Sequence, residues 1–91
     1  MTIILSREEL YREVWRRPTL ALARSYGLSD VALAKLCRRR HIPRPARGHW
    51  TLLEMGCPRA IPPLPPAQPG DDRPVVIDTE ANFARRAQRA A

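Results

Sequence analysis

The sequence predicts an all-α fold: a small three-helix domain at residues 1–57, a proline-rich linker at 58–73, and a short tail at 74–91 that can form a helix. Three observations carry this reading. Apolar residues recur at three- and four-residue spacing through three successive segments before Pro43. Each segment opens on a capping residue or a proline and closes at a glycine or before a proline. Six prolines fall between positions 58 and 72, with "IPPLPP" at the centre, where neither a helix nor a central strand can run.

The first helix starts at Ser6. Ser6 with Glu9 has capping-box spacing, and Leu5 with Leu10 occupies the positions of a hydrophobic staple. Leu10, Tyr11, Val14 and Trp15 then share one stripe until "RRP" at 16–18 interrupts it, so the helix ends near Arg17. Pro18 suits the first position of a second, two-turn helix whose buried side is Leu22, Ala23 and Tyr26. Gly27 closes it, being the residue type that best accepts a left-handed backbone. Ser29 is an N-cap for the third helix, in which Leu33, Leu36 and Cys37 face inward while Asp30, Val31, Ala34, Lys35 and Arg38 face out. That helix stops before Pro43. "HIPRPARGHW" is extended or turning, and "WTLLEMG" after it is one short apolar element, helix or strand. In the tail, "PVVI" is strand-like and residues 79–91 are helical in composition with little apolar face.

Charge bounds the partners. Sixteen basic residues, all but one of them Arg, stand against nine acidic ones, for a net charge of +7. Phosphates, carboxylates and anionic lipids are the natural counterparts of such a surface. The excess is concentrated: between Ser29 and Trp50 the only acid is Asp30, against six basic side chains. "IIL" at 3–5 is far too short for a secretion signal or a membrane span, so no membrane partner is expected and the chain is read as soluble and cytoplasmic. Cys37 and Cys57 then read as free thiols.

The twenty residues "TLALARSYGLSDVALAKLCR" resemble the helix-turn-helix motif of bacterial and phage DNA-binding regulators. In that family a small residue at the fifth position lets two helices approach, a glycine at the ninth makes the turn, and apolar residues at the fourth, eighth, tenth, fifteenth and eighteenth fill the contact. Here these are Ala23, Gly27, Leu22, Tyr26, Leu28, Leu33 and Leu36. The wider pattern from residue 5 to about 56 is similar to a bacterial group of helix-turn-helix domains of poorly defined role.

The resemblance implies that residues 1–57 bind double-stranded DNA sequence-specifically, as a transcriptional regulator associated with the nucleoid, with the third helix in a major groove. By matching positions, Ser29, Asp30, Val31, Ala34 and Lys35 face the bases. Asp30 has an equally good reading as a helix-start residue that satisfies backbone donors. Arg38, Arg39 and Arg40 read either as a solvated face or as phosphate clamps. "PRPARG" at 43–48 loosely resembles an AT-hook core in reverse, so Arg44 and Arg47 either enter a minor groove, lie along phosphates, or merely accompany a turn.

Other chemistry is poorly supported. Trp15, Trp50, Tyr11 and Tyr26 are expected in the core, since a domain this small needs large buried side chains. Cys37, His41, His49 and Cys57 form a zinc set by type, but their spacing fits no common zinc knuckle, so neither a metal nor another cofactor is expected. No Ser/His/Asp set and no glycine-rich phosphate loop appears, and Glu8, Glu9 and Glu13 lie where they cap and solubilise a helix, so no enzyme is expected. One domain of this size rarely makes enough contacts, and the family's usual solution is a homodimer on two half-sites, with "MTIIL" and "RPVVI" as candidate dimer strands. Two further classes remain open. One is a targeting module of a larger recombinase- or nuclease-type assembly that holds a protein partner through the C-terminal tail; the other is an RNA binder acting through the Arg-rich run.

Overall fold

The computed structural model describes residues 2–57 and 60–90; Met1, Pro58, Arg59 and Ala91, at the edges of the expected segments, lie outside them. The chain runs β1 (Thr2–Leu5), α1 (Arg7–Arg16), α2 (Thr19–Tyr26), α3 (Asp30–Arg39), α4 (His49–Glu54), β2 (Val75–Asp78) and α5 (Thr79–Ala90).

The local punctuation explains the first helices. Ser6 accepts from the Glu9 N–H, while the Glu9 carboxylate accepts from the Ser6 N–H, a reciprocal box that satisfies donors at the start of α1. Gly27 takes φ +72°, its N–H donates to the Arg24 carbonyl and the Leu28 N–H to the Ala23 carbonyl. These two bonds form a Schellman motif that ends α2 and turns the chain into α3. Ser29 caps α3 by accepting from the Ala32 N–H. The segment at 49–56, open between helix and strand from sequence, is the short helix α4.

The all-α expectation is overturned: β1 and β2 pair as a two-stranded antiparallel sheet in a mixed α/β fold with five helices among the described residues. The register sets Thr2 against Asp78, Ile3 against Ile77, Ile4 against Val76 and Leu5 against Val75. The two stretches expected to meet strands of a second copy thus pair with each other. The reason is burial: Val75 and Ile77 sit on the inward face of β2 and join Leu10, Val14, Leu22, Ala23, Tyr26, Leu33, Cys37 and Ile42 in one core. A four-residue strand is stable only when such a face is covered. Of the expected tail, therefore, β2 contributes to the same core as α1, α2 and α3.

The proline-rich stretch holds neither helix nor strand over residues 60–68, and it is fastened to the helices. The Tyr11 hydroxyl donates to the Pro62 carbonyl, Leu64 packs on the core, and the Arg7 guanidinium donates to the Pro65 carbonyl at 2.8 Å. Arg7 is only 7% exposed, and the rest of its fork reaches the end of α3. Nε donates to the Arg40 carbonyl at 2.6 Å and Nη2 to the His41 carbonyl at 2.8 Å. A cation at the negative end of a helix dipole, satisfying its last carbonyls, is a favourable placement. No helix among the described residues is long and apolar enough to cross a membrane.

Candidate functional site

α3 is the element on which the charged surface is organised. Its buried side is Leu33 and Cys37, and at about 100° per residue Lys35 points directly away from them. Two sides flank this exposed ridge. Asp30, Val31, Ala34, Lys35 and Arg38 line an open groove of about 690 Å³, closed on its far side by Thr19 and Leu20 of α2, by Arg44, Pro45, Ala46, Arg47 and Gly48, and by Trp50 of α4. Ser29, Ala32 and Leu36 turn to the other side, toward β2 and α5.

The groove's far wall is held by aromatic side chains. Trp15 Nε1 donates to the Pro43 carbonyl at 2.9 Å, which anchors the start of the arginine-bearing loop. Buried His49 sits edge-on to both Trp15 and Trp50, with ring centroids 5.1 and 5.0 Å apart. The His49 N–H donates to the Ala46 carbonyl, and Gly48, at φ +87°, turns the chain into α4. The loop is therefore positioned by packed rings while Arg44 and Arg47 stay exposed. Trp50 differs from the expectation that all four large aromatics are core residues. It is half-buried in the groove wall, and its buried Nε1 has no hydrogen-bond partner among the described residues.

Of the five residues expected to face bases, Asp30, Val31, Ala34 and Lys35 come together in this groove. Ser29 lies on the other side of α3, where its hydroxyl is used as the cap. Val31 is 58% exposed, and so is Leu20 to 51%, an aliphatic pair on a charged surface that inspection of the third helix alone does not find. Arg38, Arg44 and Arg47 line the same groove, whereas Arg39 is exposed outside it. Lys35, Arg38, Arg44 and Arg47 face only one acid there, Asp30, and none of the four side chains makes an ion pair or hydrogen bond among the described residues.

Arg40, one of the three arginines read as a solvated face or as phosphate clamps, is turned toward the chain itself. Its guanidinium donates to the carbonyls of Arg73 at 2.6 Å, Pro74 at 3.3 Å and Gly70 at 3.5 Å, and so fixes the approach to β2. Next to it His41 takes φ +55°, an uncommon conformation for a residue with a side chain, and ends α3 with the Ile42 N–H donating to the Cys37 carbonyl. His41 Nδ1 lies 2.8 Å from the carboxylate of buried Asp71. The Gln68 N–H, followed by His41, holds the Asp71 carboxyl below its ordinary pKa, against the opposing effect of burial.

The four Cys and His side chains of the zinc set are used separately. Cys37 is in the core, Cys57 is exposed, His49 is among the tryptophans and His41 is on Asp71. Among the described residues no three His, Cys, Asp or Glu side chains gather as metal ligands. Burial pushes the Cys37 thiol up to about 11, with nearby Arg44 opposing, so it stays neutral and unreactive at neutral pH.

Comparison with protein-family models, with characterised proteins and with solved structures finds no match to this chain.

Proposed function

We propose that the chain binds double-stranded DNA sequence-specifically, with the exposed ridge of α3 in the major groove, as a transcriptional regulator. The observation that carries this reading is the groove beside α3. Lys35, Arg38, Arg44 and Arg47 converge there from a helix and a pinned loop, their side-chain donors unengaged among the described residues, beside the outward aliphatics Val31 and Leu20. Cations suit phosphates, and an exposed aliphatic on the reading helix, Val31, suits the thymine methyl. A helix rather than a loop bears the ridge, so the spacing of its side chains matches a rigid duplex.

The roles divide by reach. Lys35, opposite the buried side of α3, donates to a guanine edge, and Val31 with Ala34 contacts a thymine methyl. Asp30 accepts from a cytosine amino group or serves the start of α3. Arg38, Arg44 and Arg47 hold the sugar-phosphate backbone, and Arg39 adds charge on the exposed face. Arg40 is excluded from this set by its three backbone acceptors. A homodimer on two half-sites, one helical turn apart, would supply the contacts that one small domain lacks.

Fluorescence anisotropy of the full chain with a labelled 20-base-pair duplex, the corresponding single strand and a structured RNA of equal length tests the class of partner. Tighter binding to the duplex than to either competitor at two salt concentrations is expected. Equal or tighter binding to the RNA or the single strand would contradict the reading.

A further inference from the structure

The second side of α3 carries its own arginines. A cleft of about 140 Å³ lies between the turn at Gly27 to Ser29, Ala32 of α3, and Asn82, Arg85 and Arg86 of α5. A wider cleft continues along α3 past Leu36 to β2, with Arg85 again in its wall. Both guanidiniums are exposed, and neither makes an ion pair or hydrogen bond among the described residues. Asp78, the carboxylate in the wider cleft, is occupied in capping α5, accepting from the Ala81 N–H at 3.0 Å.

α5 is fastened where this matters. Asn82 Nδ2 donates to the Tyr26 carbonyl at 2.9 Å, tying α5 to the end of α2. Gly27 is packed against it so closely that an added Cβ would stand 2.9 Å from Asn82 Cβ and 3.1 Å from the Phe83 nitrogen. The absence of a side chain at Gly27 thus admits α5 as well as making the turn. Arg85 and Arg86, one turn beyond Asn82, are thereby held at a fixed place relative to α3.

α3 therefore stands between two walls, Arg44 and Arg47 on one side and Arg85 and Arg86 on the other, with Lys35 on the ridge between them. A helix in a major groove has a phosphate backbone on each side of it. We propose that Arg85 and Arg86 contact the phosphates of the second strand, opposite the strand held by Arg44 and Arg47, so that α5 is a DNA-binding element. This inference rests on the duplex reading above.

The test is the salt dependence of duplex binding by the full chain as wild type, Arg85→Gln/Arg86→Gln and Arg44→Gln/Arg47→Gln, with thermal unfolding of each as a control. Each phosphate contact contributes about 0.9 to the slope of log K against log salt. The α5 variant is expected to unfold at the wild-type temperature, bind several-fold more weakly, and lose about 1 to 2 from the slope. It should also select the same sequence from a random pool, because phosphate contacts carry no base information. An α5 variant with wild-type slope and affinity, beside an Arg44/Arg47 variant that loses both, would overturn the role of α5 and leave the duplex reading standing. Such a variant with an altered sedimentation coefficient would make this face a protein contact instead. A wild type that binds no duplex would overturn both.

Discussion

Arginines on two faces of the molecule do opposite work. On the face covered by the proline-rich strap, Arg7 and Arg40 are turned inward, and between them they donate to carbonyls of residues 40, 41, 65, 70, 73 and 74. On the face of the α3 groove, the side chains of Arg38, Arg44 and Arg47 have solvent and no acceptor among the described residues. One side chain type closes the fold on one face and leaves a cationic surface on the other, so net charge overstates the charge offered to a partner. Arg suits the first task because its planar fork reaches several carbonyls at once, and the second because it remains charged at any physiological pH.

Substitutions should separate the two sets, and the largest effect is expected at Arg7. Arg7→Gln leaves the carbonyls at the end of α3 and in the strap short of donors, and should lower the free energy of unfolding by roughly 2–4 kcal/mol in urea titration. On the groove face, Arg44→Gln/Arg47→Gln should leave unfolding within about 0.5 kcal/mol of wild type. It should nevertheless weaken duplex binding and flatten its salt dependence by about 1 to 2 in slope. If the groove pair proved as destabilising as Arg7, the division between faces would be wrong.

A smaller effect is expected from pH. The Asp71 carboxyl is held below its ordinary pKa by the Gln68 N–H and by His41, so its ionised form favours the folded state. That contribution is fully present above the unfolded value of about 4 and is lost as pH falls through the lower folded value. Asp71→Asn should therefore show less acid-induced loss of stability below about pH 4 than wild type does, which melting curves between pH 7 and 2.5 would measure. Smallest is the contrast between the thiols. Exposed Cys57 should react with a maleimide in the native chain, whereas buried Cys37, with its thiol near 11, should react only in denaturant. Two modified thiols per native chain by mass spectrometry would show that the core around Cys37 opens readily.

What the sequence disclosed was what its neighbours in the chain determine. Ser6 with Glu9, Gly27 and Ser29 mark their helix ends by local hydrogen bonding, and the outward stripe of α3 follows from helical period. The sheet was not legible as such because "TIIL" and "VVID" stand at opposite ends of the chain, so no local pattern marks them as partners, and each alone looks like an edge in search of a partner. The attachment of the proline-rich strap was not legible, since it depends on Arg7 and Tyr11 from another element. Arg7 did leave a signal. A cation in the first turn of its own helix opposes the dipole there, which points to a use elsewhere. Arg40 left none, sitting in a run with Arg38 and Arg39 that differs only in which way each side chain turns. Arg85 and Arg86 gave no indication of lying beside α3, because only the packing of α5 on Gly27 brings them there.

Binding-site selection from a random duplex pool, carried out at two salt concentrations with the wild type and with Lys35→Ala, tests the central claim most directly. Wild type should enrich a defined motif at both concentrations, and Lys35→Ala should lose preference at one or two positions of it while retaining the rest. No enrichment by the wild type, or an identical motif from Lys35→Ala, would contradict the assignment of α3 as the element that reads the duplex.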